Sequence, residues 1–149
     1  MKTSYHAAAS AAAAGGIYMW TKSAPLAVSC LASGIFWDVD HIADFLAFSG
    51  EKISLSGFFS WCDDARWKRV TLLLHSYELY IAGAALALLR LPAEPVSHGI
   101  LIGAGLHLAM DQMGNRRQPD GKLLHPCFYF LTFRLLSGFS RDKMVTSPQ

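Results

Sequence analysis

The sequence predicts an all-α, polytopic membrane helix bundle, and three observations predict it. Of the 149 residues, 52% are hydrophobic and 16% charged, against about 25% charged in an average soluble domain. The mean hydropathy is +0.27, on the apolar side of the scale. Apolar runs also recur along the chain, at residues 7–20, 24–37, 70–91, 96–113 and 123–139, so about five apolar helices are expected. No linker, low-complexity run or repeat interrupts them beyond the alanine-rich stretch 7–14, and residues 1–149 are read as one domain.

The first two segments are short, about 21 Å each at 1.5 Å per residue. Thr21-Lys22-Ser23 separates them, and Pro25 suits the first turn of the second helix, so a short helical hairpin is expected. Lys2 followed by alanines also resembles a signal peptide, a reading disfavoured because no exported soluble domain follows. Residues 42–67 mix glycine, serine and charge with Phe45, Leu46, Phe48, Phe58, Phe59 and Trp61, as in an interfacial element. The third segment, at about 33 Å, is long enough for a hydrocarbon core of about 30 Å, and the fourth nearly so. Its small residues, Gly99, Gly103 and Gly105, and Ala82-Gly83-Ala84-Ala85 in the third, suit close helix packing. In the fifth, Phe128, Tyr129, Phe130 and Phe133 read as lipid-facing or interfacial surface.

Positive charge sets the orientation. Arg66, Lys68 and Arg69 precede the third segment and Arg116, Arg117 and Lys122 follow the fourth, whereas Lys22, Arg90, Arg141 and Lys143 fall on the other side. The richer face is expected in the cytoplasm. A net charge of +2 gives no case for nucleic acid. Cys30, Cys62 and Cys127 are odd in number, widely spaced and without a C-x-x-C pair, so neither a disulfide framework nor a zinc–thiolate site is indicated.

Threaded this way, His6, Asp38, Asp40, His41, His75, His107 and Asp111 all fall near the cytoplasmic face. His107 and Asp111, four residues apart, point the same way from one helix and suit ligands of one metal or of neighbouring metals. Asp38, Asp40 and His41 crowd the expected end of the second helix, where carboxylates oppose the macrodipole and a cation would offset them. Asp44, a turn further on, is a candidate outer-sphere residue. His75 has Glu78 one turn on, either as its orienting carboxylate or as the partner of Arg134 at similar depth. His98 reads as a polar helix-start residue, and His125 carries no favoured role.

The motifs His6-Ala7-Ala8-Ala9-Ser10, Trp37-Asp38-Val39-Asp40-His41, Leu74-His75-Ser76 and Leu106-His107-Leu108-Ala109-Met110-Asp111 occur in that order. In this the chain resembles the integral inner-membrane metal-dependent hydrolases, a group distantly similar to zinc-dependent phospholipase C and single-strand-specific zinc nucleases. Trp37 stands where that family carries proline, and Lys68-Arg69-Val70 replaces its His-Arg-Gly lead-in. The resemblance implies a multi-pass protein of the bacterial inner membrane that binds one or two divalent ions. Ligands without thiolate suit zinc, and also manganese or iron. Asp38 and Arg69 are the expected catalytic residues, Asp38 to handle the proton. Lys68, Arg69, Arg116 and Arg117 form a basic rim for an anionic phosphoester, lipid-linked by its depth at the bilayer. The alternative is a non-catalytic metal-binding or purely structural membrane helix bundle.

Overall fold

The computed structural model describes residues 3–90 and 94–147, with the side chain of Arg90 left out. Lys2, the charge of the signal-peptide reading, and Leu91, the expected end of the third segment, lie outside the described residues. The chain is helical over most of its length: α1 Thr3–Thr21, α2 Ala24–Phe36, α3 Val39–Phe48, α4 Leu55–Asp63, α5 Tyr77–Arg90, α6 Pro95–Gly114, α7 Leu131–Leu136 and α8 Arg141–Met144. Two short strands, β1 Leu123–Leu124 and β2 Val145–Thr146, pair antiparallel with Leu123 opposite Thr146. Two compact units emerge, residues 1–37 with 78–111, and residues 38–77 with 112–149.

In the first unit α1 and α2 form the expected hairpin. Lys22 takes a left-handed backbone (φ 55°), and the Ser23 hydroxyl accepts from the Leu26 N–H to cap α2 just before Pro25. Small residues bring α2 and α6 together. A Cβ on Gly99 would lie 2.4 Å from the Leu26 carbonyl oxygen, and one on Gly103 2.2 Å from that of Cys30. A Cβ on Gly34 would meet the Ser10 hydroxyl at 2.2 Å, so the same device seats α1. Apart from Leu108, the buried residues described in this unit are accordingly small or polar, among them Ser10, Ala14, Ala27, Cys30, Ala104, His6, His107 and Asp111. The large apolar side chains Met19, Trp20, Val28, Phe36, Ile81 and Leu89 are exposed. Gly83, by contrast, borders open space among the described residues.

The second unit has a conventional apolar core of Phe45, Trp61, Val70, Leu72, Leu124, Phe128, Tyr129 and Met144. Phe45 meets the rings of Phe58 and Trp61 edge-on at 5.6 and 5.7 Å. Phe128 and Tyr129 are buried, not lipid-facing as the sequence suggested.

The five-segment polytopic reading needs correction. Among the described residues one helical stretch, Ala24–Phe48, is long and apolar enough to cross a membrane. The third segment yields the 14-residue α5, because residues 70–76 form a loop whose backbone N–H groups bind carboxylates instead of helical carbonyls. The fifth breaks into β1, a 3-10 turn at Pro126–Tyr129 and the six-residue α7. His125 caps that turn by accepting from the Cys127 N–H, and Pro126 removes a donor that a continuous helix would need. The stretch read as interfacial folds as most of α3 and all of α4.

Candidate metal centre

Each unit gathers some of the seven expected ligands. In the first, His6 near the start of α1 and His107 and Asp111 on α6 are all buried. The His6 Nε2 lies 3.0 Å from Asp111 Oδ1, the His107 Nε2 lies 3.6 Å from Oδ2, and the two imidazoles stack with centroids 3.9 Å apart. The His107 Nδ1 is 2.9 Å from the Gly34 carbonyl oxygen, which can only accept, so Nδ1 carries the proton. In neutral His107 the Nε2 lone pair therefore points toward a carboxylate. A bridging cation makes that arrangement favourable. Without a cation, one further proton, on His107 or on Asp111, would have to fill that gap. The Nδ1 of His6 is also buried, with no hydrogen-bond partner among the described residues. A carbonyl-oriented imidazole beside a carboxylate is the usual build of a metal-ligating histidine, so these three residues fit a divalent ion.

In the second unit Asp40, His41 and His75 each offer a ligand atom, all within 4.8 Å of one another, a cluster able to hold a metal ion. The His75 ring lies between two carboxylates, Nδ1 3.0 Å from Asp40 Oδ1 and Nε2 3.1 Å from Asp38 Oδ1. A neutral imidazole has one N–H to donate, so a proton or a metal must satisfy the other nitrogen. His41 Nε2 is 3.4 Å from Asp38 Oδ1, and its ring meets that of His75 edge-on at 4.9 Å. His75 is enclosed, whereas Asp38 and His41 keep about a quarter of their side-chain surface in contact with solvent (26% and 24%).

The surroundings correct several expectations. Asp38 and Asp40 do not end a helix. They stand at the N-cap and in the first turn of α3, where the macrodipole favours a carboxylate. His75 lies on the 70–76 loop, and its ring is oriented by Asp38 and Asp40. Asp44 is buried and accepts from the N–H and hydroxyl of Thr71 and from the Leu72 N–H. Arg134, fully buried, donates to the carbonyls of Leu72, His75 and Phe128. Glu78 occupies the first turn of α5. Lys68, Arg69, Arg116 and Arg117 are exposed. Residue 69 bridges to Ser140, residue 117 bridges to Leu123, and the Arg69 guanidinium reaches the Gly138 carbonyl. His98 bonds the Glu94 carbonyl through Nδ1, in keeping with a helix-start residue.

Burial, reinforced by the charges of Asp38 and Asp63, pushes the Cys62 thiol up to about 12, leaving it protonated at neutral pH. At the periphery the Arg141 guanidinium, 2.8 Å away, holds the Asp120 carboxyl below its ordinary range. Reasoning from sequence missed the three-carbonyl grip of Arg134. A buried arginine in an apolar segment was the available signal, but its acceptors are backbone atoms that no pattern of side chains reveals. Comparison with protein-family models, curated proteins and solved structures found no match.

Proposed function

We propose that the chain is a membrane-embedded, metal-dependent hydrolase that cleaves a phosphoester, lipid-borne or otherwise anionic, at the cytoplasmic membrane face. The observation that carries this reading is the Nδ1–H bond from His107 to the Gly34 carbonyl, which turns the Nε2 lone pair toward Asp111. His6, His107 and Asp111 in one unit and Asp38, Asp40, His41 and His75 in the other are the proposed ligands of one or two divalent ions. Imidazole and carboxylate donors suit zinc first, then manganese or iron. A bound ion of this kind supplies Lewis acidity and lowers the pKa of water toward about 7.

The roles of the chain's own groups follow from exposure. Asp38 is the more solvent-accessible carboxylate beside His75, so it can exchange a proton with water, while the less exposed Asp40 stays committed to the His75 ring. Arg69, with Lys68, Arg116 and Arg117, is proposed to hold the anionic group of the substrate. Membrane placement is supported by the inverted first unit. Apart from Leu108, its buried residues are small or polar, whereas Trp20 is 89% exposed, Phe36 72% and Leu89 83%, a distribution suited to hydrocarbon contact.

Turnover tests the reading. Zinc-replete protein in detergent, offered phosphomonoester and phosphodiester lipids, is expected to release product. Chelation should abolish the reaction, and Asp38→Asn should slow it by about 100-fold or more. Stoichiometric metal without turnover would support the non-catalytic alternative, which the burial of His6, His107 and Asp111 favours because structural metal sites are closed.

A further inference from the structure

The loop that carries His75 contains a backbone conformation it would not adopt unaided. Leu72 has φ +42°, in the left-handed region where a leucine is strained. Its peptide groups are gripped from both sides by buried charges. The Leu72 N–H donates to Asp44 Oδ2 at 3.1 Å, beside the Thr71 N–H at 2.6 Å on the same oxygen. The Leu72 carbonyl accepts from the Arg134 NH2 at 2.8 Å and closes a turn by accepting from the His75 N–H at 3.1 Å. The Arg134 NH1 then reaches the His75 carbonyl at 2.9 Å. Two buried ions of opposite charge thus meet through the dipoles of one short stretch of backbone.

We propose that Arg134 and Asp44 are positioning residues, a clamp that holds the strained turn at Leu72 so that the His75 imidazole is presented to its metal. This rests on the metal-binding reading above and adds to it the device that fixes one ligand. The clamp works by hydrogen-bond geometry. The planar guanidinium fork reaches three carbonyls from one side chain, which a lysine ammonium cannot reproduce. Alanine at position 44 likewise leaves the Thr71 and Leu72 N–H groups without the oxygen they share. Outer-sphere residues of metal sites typically contribute about 10- to 100-fold in affinity, and the same range is expected here.

The test is titration of the full chain with cobalt(II), read by its d–d absorption, in wild type, Arg134→Lys and Asp44→Ala, with unfolding followed by circular dichroism. Expected are a band in wild type and, in both variants, affinity about 10- to 100-fold weaker with an altered band. Wild-type affinity and spectrum in a folded Arg134→Lys would overturn the clamp while leaving the metal reading intact. No band in wild-type protein would overturn the metal reading and the clamp with it. Should Arg134→Lys not fold, Thr71→Val decides by removing only the hydroxyl bond to Asp44. A weakened, altered band supports the clamp, and an unchanged one overturns it.

Discussion

His107→Ala is expected to weaken metal binding by more than about 100-fold and to abolish metal-dependent turnover, because losing a direct ligand should cost more than the 10- to 100-fold typical of outer-sphere partners. The substitution removes the nitrogen facing Asp111 Oδ2 and the N–H that holds the Gly34 carbonyl. It also unstacks His6, leaving that buried imidazole and the Asp111 carboxylate without their shared neighbour. Isothermal titration with zinc measures the first effect. His98→Ala is the control, since His98 bonds only the Glu94 carbonyl among the described residues and should leave affinity unchanged. Equal zinc affinity in the His107→Ala variant and wild type would remove His107 from the ligand set.

Gly103→Ala is expected to destabilise the fold by about 3 kcal/mol, the upper end of the usual cost of overpacking. The new methyl would lie 2.2 Å from the Cys30 carbonyl oxygen and 2.9 Å from the Gly34 backbone nitrogen, neither of which can rotate away. Separating α2 from α6 would also pull the Gly34 carbonyl from His107, one turn further along α6, so lower zinc affinity should accompany lower stability. Gly83→Ala makes the contrasting case. Nothing lies within 4 Å of its Cβ, so the loss of glycine's backbone entropy should stabilise α5 by about 0.5–1 kcal/mol. Denaturant unfolding in detergent, followed by circular dichroism, compares the two, and equal stability changes would contradict the close-packing account.

What could be read in the sequence was local. The α1–α2 hairpin was legible from Lys22, Ser23 and Pro25, which cap and start a helix within a few residues. The His107–Asp111 pairing was legible because helical spacing alone aligns them. The loop at residues 70–76 was not. Val70-Thr71-Leu72-Leu73-Leu74 has the composition of an apolar helix, and only contacts with Asp40, Asp44 and Arg134, 27 or more residues distant in sequence, pull it out of one. The strand pairing of Leu123–Leu124 with Val145–Thr146 is likewise non-local and breaks a segment that hydropathy treats as continuous. The position of Asp38 and Asp40 at a helix N-terminus was recoverable. Acidic residues in a first turn are a helix-start signal, which marks Asp38 and Asp40 as the start of α3 and not the end of α2.

These histidines and aspartates are expected to bind a divalent ion. Elemental analysis of detergent-purified wild-type chain, offered zinc, manganese and iron, tests it most directly. One or two equivalents of metal per chain, retained through gel filtration, are expected. Folded protein that emerges with none of the three metals would contradict that expectation.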